Sequence, residues 1–151
     1  MSHARQAIRE AAATLLTGLT TTGSRVHQSR LPYVTLGDAE LPALLIVTAA
    51  DDPDGMTMDT AAIQKRYCDL VVSGLAKPSA NLDDVLDSIA AEVETAVGRA
   101  ITVSGKTLPI EASPQIPPPM IDESLERPVG RIDMTFRLTY FTAAGAPGTL
   151  L

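Results

Sequence analysis

The feature that most constrains the fold lies near the end of the chain, where one stretch alternates strictly between two kinds of residue. From Gly130 to Tyr140 every second residue is apolar or glycine, and the residues between them are charged or carry a hydroxyl group. A period of two over this length is typical of a β-strand with one face on a core and the other toward solvent. The predicted inward positions are Gly130, Ile132, Met134, Phe136, Leu138 and Tyr140.

Four other stretches carry weaker strand signals. Residues 43–48 form a continuous apolar run that is too short for a helix, which predicts a strand buried on both faces. Residues 63–75 alternate with a period of two, so Cys68, Leu70 and Val72 share one face and Tyr67, Asp69, Val71 and Ser73 share the other. Shorter strands are predicted at residues 24–30 and at 100–111, the latter with a turn at Ser104-Gly105.

Two amphipathic helices are predicted, at residues 3–18 and 82–98, because their apolar residues recur at spacings of three and four. Ser2 and Asn81 are the expected N-caps, and Gly18 and Gly98 are placed to end the two helices. The buried stripe of the second helix is expected to be Leu82, Val85, Leu86, Ile89, Val93 and Val97.

Two segments are predicted to be long loops that are mobile in the free subunit. Residues 51–55 read Asp-Asp-Pro-Asp-Gly, a turn-forming sequence at the centre of a loop at about 50–60. Residues 112–125 contain four prolines, which favours an extended loop outside any strand ladder.

These elements predict an α+β domain in the order α-β-β-β-α-β-β. We expect a mixed, largely antiparallel sheet of about five strands with two helices packed on one face. Residues 1–142 are expected to form a single domain, and residues 143–151 a flexible C-terminal tail. No apolar run reaches the roughly 20 residues that span a bilayer, so we expect a soluble, intracellular protein without membrane contact.

The charge of the chain is unevenly distributed. The net charge is −6, and residues 31–62 hold six acidic residues with no Lys or Arg. The first thirty residues carry Arg5, Arg9, Arg25 and Arg30 against Glu10. An acidic chain without a basic stripe argues against specific nucleic-acid binding. The alternating sign suits a protein that stacks unlike surfaces, although a solvated acidic surface is the simpler interpretation.

Motifs for catalysis or cofactor binding are missing from the sequence. The single cysteine, Cys68, falls on the apolar face of a predicted strand, where a structural thiol is expected. The two histidines, His3 and His27, lie in different elements, and no zinc-binding pattern surrounds them. The loop at residues 51–55 lacks the ligand spacing of a calcium site. We therefore expect no enzyme activity, no metal and no cofactor.

Four segments together give the chain a family resemblance. They are a helix with His3 followed by Ile8-Arg9, the sequence Glu40-Leu41-Pro42-Ala43 before an apolar run, the acidic helix segment 82–89, and the closing strand 130–140 that ends in Leu-Thr-Tyr. The chain resembles the tail terminator proteins of long-tailed phages and related gene transfer agents, the group that includes minor tail protein U of lambda-like phages. The resemblance extends over residues 3–142, and the proline-rich stretch 114–119 falls outside its pattern.

The resemblance implies a structural virion protein without enzyme activity. Such proteins form a homohexameric ring on the head-proximal end of the tail tube, stop its polymerisation and join the tail to the head. The implied partners are the major tail tube protein and the head-side connector or head completion protein, with the tape measure protein as a further candidate. DNA would pass through the ring. The implied location is the neck of the tail in the virion, and the host cytoplasm during assembly.

Two alternatives stay open, namely another neck protein (a head completion or connector component) and a small ligand-binding regulatory α+β domain. A ring closed by head-to-tail contacts needs two different surfaces on each subunit, and unlike charges are expected to pair across them. The candidate interface residues are Arg25, Arg30, Asp51, Asp52, Asp54, Asp59, Arg131, Asp133 and Arg137.

Overall fold

The computed structural model describes residues 3–28, 40–56, 62–111, 114–122 and 128–151. Within these residues, two helices and seven strands follow one another in the order α-β-β-β-α-β-β-β-β. Their bounds are α1 Ala4–Leu16, β1 Val26–His27, β2 Ala43–Met56, β3 Ile63–Ala76, α2 Leu82–Val97, β4 Ala100–Val103, β5 Lys106–Pro109, β6 Met120–Asp122 and β7 Val129–Ala143.

The main sheet has five strands in the order β1-β2-β3-β7-β6. β1 pairs in parallel with β2, and all the other pairs are antiparallel. The longest pair is β3 with β7, which starts with Ile63 opposite Ala143. The predicted α+β class with a largely antiparallel sheet is therefore confirmed. The predicted strand at 24–30 is limited to Val26–His27 among the described residues.

Both helices pack on the same face of this sheet, as predicted. Ile8 and Leu16 of α1 meet Leu86 and Ile89 of α2 in one buried core. The alternation at the end of the chain is confirmed, because the inward positions of β7 from Gly130 to Tyr140 are all buried. The core also includes Cys68, Leu70, Val72, Ile132, Met134, Phe136, Leu138 and Tyr140.

Two glycines in the strands beneath α2 allow the helix to lie close to the sheet. A Cβ atom at Gly74 would lie 2.8 Å from Cγ2 of Ile89, and one at Gly130 would lie 2.4 Å from Cδ1 of Leu82. Any side chain at either position would push against the apolar side of α2. The predicted stripe of α2 is buried except at Val85, which is half-buried.

The two helices begin differently. The N-cap of α1 is His3, whose ring Nδ1 accepts a hydrogen bond from the backbone N–H of Arg5 at 3.1 Å. Ser2, the predicted cap, lies outside the described residues. Asn81 is the N-cap residue of α2, as predicted, but its side chain makes no capping bond and instead accepts from the hydroxyl of Ser79.

Glycine lies at or just after the C-terminal end of each helix, as predicted. Gly98 ends α2 with a φ of 62°, and its N–H donates to the carbonyl of Glu94 at 3.0 Å. Gly18 follows α1 with a φ of 96°. Both angles lie in the left-handed region, where the absence of a Cβ atom makes glycine favourable.

The prediction of a turn-rich loop at 51–55 is wrong, because this stretch continues β2. Asp52 pairs with Tyr67 of β3, and the register shifts once before this pair and once after it. Such irregularities let a strand pass through Pro and Gly residues that fit poorly in a regular ladder. The predicted loop at 50–60 is therefore strand up to Met56, and the rest of it lies outside the described residues.

The prediction that residues 112–125 stay outside any ladder is also wrong in part. Gln115 and Thr135 exchange both backbone hydrogen bonds, at 3.0 and 3.1 Å, and β6 then pairs with the first residues of β7. We call residues 114–122 the edge segment. Its three consecutive prolines, 117–119, separate the two paired stretches, and proline is tolerated there because this segment is the sheet edge. The remaining parts of the predicted loop lie outside the described residues.

The predicted strand at 100–111 is a hairpin of β4 and β5, which form a separate two-stranded sheet. The turn lies at Ser104-Gly105 as predicted, and both residues have positive φ, 50° and 78°. Two-residue hairpin turns with this backbone match the twist of antiparallel strands. The hairpin adds Ile101, Val103 and Leu108 to the core.

Residues 143–151, the predicted flexible tail, return to the rest of the fold. The carbonyl of Pro147 accepts from the backbone N–H of Ala4 at 2.8 Å, and the N–H of Leu151 donates to the carbonyl of Phe141 at 3.0 Å. These contacts do not measure motion, so the flexibility of the tail stays a prediction.

We call the side of the main sheet away from the helices the outer face. One end of it holds a second, smaller apolar cluster made of Ala43, Leu45, Leu75 and Val129. Beyond this cluster the outer face changes from apolar to charged and aromatic along β3 and β7. The candidate functional surfaces begin there.

Candidate functional site

The described ranges contain no group of three or more His, Cys, Asp or Glu residues arranged to hold a metal ion. The side chain of Cys68 has no exposed surface and packs in the main core. No helix in the described part of the chain is both long and apolar enough to cross a membrane. The charged and aromatic side chains that are candidates for contact with a partner lie on the outer face and on the outer side of α2.

A polar cluster links β3 to β7 on the outer face. Nε of Arg131 donates to Oδ1 of Asp133 at 2.8 Å, and the hydroxyl of Ser73 donates to the same oxygen at 2.6 Å. The two charged side chains are 28% and 30% exposed, so solvent screens the pair and its contribution to stability is small. This cluster fixes the orientation of two side chains that were predicted to lie at an interface.

Farther along the same face, two cationic groups lie near one aromatic ring. The guanidinium carbon of Arg137 is 4.6 Å from the ring centroid of Tyr67, and Nζ of Lys65 is 5.3 Å from it. Phe141 lies directly opposite Lys65 in the β3–β7 register and is 43% exposed. We call Lys65, Tyr67, Arg137 and Phe141 the aromatic–cation patch.

The position of these two aromatic residues matters because the chain has only five, three Tyr and two Phe. Phe136 and Tyr140 are each 1% exposed and belong to the core. Tyr33 lies outside the described residues. The two described aromatics that are not in the core, Tyr67 and Phe141, are therefore both in the aromatic–cation patch.

The outer side of α2 is acidic. The helix contains five acidic residues and no Lys or Arg. Four of them are exposed and lie on the side away from the sheet, and we call them the acidic helix face. They are Asp83, Asp84, Asp87 and Glu94.

A shallow groove lies beside the C-terminal half of α2. Its volume is about 410 Å³, and it runs between the helix and the loop that follows α1. Small and apolar groups, including Leu19, Ala91 and Ala96, make up much of its wall. We call it the helix groove.

One wall of the helix groove is fixed by a hydrogen-bond network around Glu92 and Arg25. The Glu92 carboxylate accepts from the backbone N–H of Thr21 at 2.8 Å and also from its hydroxyl. Nη2 of Arg25 donates to the carbonyl of Thr21 at 3.1 Å, and Nε donates to the carbonyl of Pro42 at 2.7 Å. Arg25, a predicted interface residue, thus has two donors engaged within its own chain.

The other predicted interface residues are divided by the structure. Arg131, Asp133 and Arg137 lie together on the outer face, as the strand period predicted. Asp51, Asp52 and Asp54 are positions of β2, and the register places Asp52 opposite Tyr67. Arg30 and Asp59 lie outside the described residues. Whether any of these residues contacts a partner stays a prediction.

The predicted site residues did not include Tyr67, Phe141 or the acidic helix face. Tyr67 was correctly assigned to the outer face, and Phe141 continues the same alternation from Arg137. The signal that was available is the scarcity of aromatic residues, because aromatic residues on a surface are enriched at protein interfaces.

Comparisons with known proteins find similarity among solved structures. No model of a known protein family matches the chain, and no curated protein matches it. Among solved structures, the chain is similar to one from the structure described as "Virion of native gene transfer agent (GTA) particle", with a TM-score of 0.46 and 18% sequence identity. The alignment covers 91% of this chain and 90% of the other. A similarity at this level does not transfer a function.

Proposed function

We propose that the chain is a tail terminator, a structural virion subunit that forms a hexameric ring. The ring caps the head-proximal end of a tail tube, stops its polymerisation and joins it to the head-side connector. The observation that carries this proposal is that three of the segments resembling the family lie in β2, α2 and β7 or lead into them, and that these elements share one buried core. Glu40–Ala43 leads into β2, residues 82–89 form the first half of α2, and residues 130–140 form most of β7.

The distribution of surfaces supports a subunit that contacts its neighbours head to tail. A heterologous interface requires two different surfaces on each copy, and a ring results when the rotation between copies closes. The aromatic–cation patch lies on one layer of the fold, and the acidic helix face lies on the other. The chain therefore presents two surfaces of unlike composition.

The edge segment supports controlled association. An exposed sheet edge with free N–H groups invites pairing with any other strand. The edge segment lies along β7 and has three prolines in a row at 117–119, which have no N–H to offer. This edge is poorly suited to strand addition, which favours association through side-chain surfaces.

The charge of the chain supports a ring that surrounds DNA without gripping it. A net charge of −6 opposes binding to phosphates, which needs clustered Lys and Arg residues. A channel in such a ring would let DNA pass with little retention. We propose the tail tube protein and the head-side connector as the partners of the two ring faces, with the tape measure protein as a further candidate.

Deletion of the gene in the host that encodes it tests the proposal. The expected result is tail tubes that grow beyond their normal length and do not join heads, with both defects reversed when the wild-type chain is supplied. Tails of normal length that join heads would contradict the proposal. Normal-length tails beside full, unjoined heads would contradict it too, and would indicate a head completion or connector protein.

A further inference from the structure

We propose that the aromatic–cation patch of one copy docks on the outer side of α2 of a second copy. Phe141 enters the helix groove of the neighbour, and Arg137 binds carboxylates of its acidic helix face. This inference rests on the proposed function, because it names the two surfaces through which neighbouring ring subunits meet.

Charge complementarity is the first argument for this contact. The outer side of α2 carries four exposed carboxylates and no Lys or Arg. Arg137 is exposed, its guanidinium carbon lies 4.6 Å from the ring centroid of Tyr67, and Asp69 lies opposite it in the register of β3 and β7. Contact with an aromatic ring covers one side of a guanidinium and leaves N–H groups available to a carboxylate. Arg137 therefore supplies the cation for the acidic helix face, in a patch of mixed charge that also has Asp69 and Glu111 beside it.

Shape and apolar surface give the second argument. Protein interfaces are enriched in Tyr, Phe and Arg, and a few such residues near the centre supply most of the binding energy. Both described aromatics outside the core belong to the aromatic–cation patch, and Phe141 is 43% exposed. The helix groove, at about 410 Å³, has room for its phenyl ring beside Leu19 and Ala96.

The third argument is that the distance from Arg137 to Phe141 is similar to the distance from the acidic helix face to the helix groove. Arg137 and Phe141 are four residues apart on β7, which corresponds to about 13–14 Å along a strand. On α2, Asp84 precedes the groove residues Ala91 and Ala96 by seven and twelve residues, which corresponds to about 11–18 Å along a helix. The two spacings overlap, which is consistent with both contacts forming in one orientation of the neighbour.

The placement of the two surfaces makes the contact heterologous. α2 packs on the inner faces of β3 and β7, whereas the aromatic–cation patch lies on the outer faces of the same two strands. A copy that uses its patch toward one neighbour keeps its helix face free for the next. Repetition of this contact generates a ring when the rotation closes.

Charge reversal tests the contact in the full-length chain. Arg137→Glu and Asp84→Arg are each expected to weaken self-association by at least about tenfold, because like charges then face each other across the interface. The chain that carries both changes is expected to regain most of the loss. Sedimentation over a range of concentrations at low salt measures the association. Lys106→Glu, the same charge change on the exposed hairpin, is the matched control and is expected to associate like the wild type.

Phe141→Ala gives an independent measurement that does not depend on charge. It is expected to weaken association at low and at high salt alike, whereas the effect of Arg137→Glu shrinks as salt increases. Phe141 is too exposed to be needed for folding, so the denaturant midpoint of Phe141→Ala is expected to match that of the wild type.

Three results would overturn this inference. They are a wild-type chain that stays monomeric at its highest usable concentration in low salt, single charge reversals that associate like the wild type, and a double variant that shows no recovery. Failure of this inference and failure of the proposed function give different experimental results. Tails that are capped normally by Arg137→Glu and Phe141→Ala would refute this contact and leave the terminator role intact. Rings that form through this contact but leave the tube length unregulated would refute the terminator role.

Discussion

At the scale of single residues, glycine at position 74 allows α2 to lie close to the sheet, because glycine has no Cβ atom. Gly74 is in the middle of the sheet, and Ile89 of α2 and Ile132 of β7 come directly against the space that a Cβ atom would fill. Ile89 and Ile132 are β-branched and stiff, so neither yields easily. Gly130 faces the flexible end of Leu82, which can move more readily. The two glycines therefore differ in how strictly they are required.

Gly74→Ala is expected to destabilise the domain by about 1–3 kcal/mol, because the added methyl group overpacks a filled core. The denaturant midpoint measures the effect. Ser88→Ala, on the exposed side of α2, is the control and is expected to stay within about 0.5 kcal/mol of the wild type. Equal midpoints for the two variants would show that α2 lies farther from β3 than the structure places it.

The candidate site could be predicted from sequence only in part. The strand period places Arg131, Asp133 and Arg137 on one face, and the structure confirms that face. The strand period does not show what surrounds them, because Ser73 and Tyr67 approach β7 only through strand pairing across about sixty to seventy positions of chain. The acidic helix face was not among the predicted site residues, and the groove beside it exists only once the loop after α1 packs against the helix.

At the scale of elements, predictions succeeded where the local sequence and the tertiary environment agree. The alternation in β7 and the apolar spacing in α2 are each consistent along their whole length, and both elements were placed correctly. The predictions failed where the local sequence and the tertiary environment disagree. Residues 51–55 have turn-forming side chains but are held in β2 by pairing with β3, and the prolines of the edge segment hid two short pairings with β7.

The register of β7 gives a prediction that compares two adjacent residues. Phe136→Ala is expected to cost about 3–5 kcal/mol, because Phe136 is almost fully buried and its loss leaves a cavity. Arg137→Ala changes the opposite face and is expected to fold with a midpoint close to that of the wild type. Urea titrations of both variants make the comparison. Similar midpoints would contradict the register.

At the scale of the whole molecule, the fold separates two unlike surfaces. The five-stranded sheet carries the helices on one side and the aromatic–cation patch on the other, so the same strands support both. The polar cluster around Asp133 and the network around Glu92 fix side chains next to these surfaces. A subunit with an acidic helix side and an aromatic sheet side of mixed charge is well suited to repeated head-to-tail contact.

Electron cryomicroscopy of tails from particles that contain this chain is the most direct test of the terminator role. We expect six copies of the domain in one ring at the head-proximal end of the tube, with the outer face of each copy against α2 of the next. Density for the chain at any other place in the particle, or its absence from the tail, would contradict the proposed function.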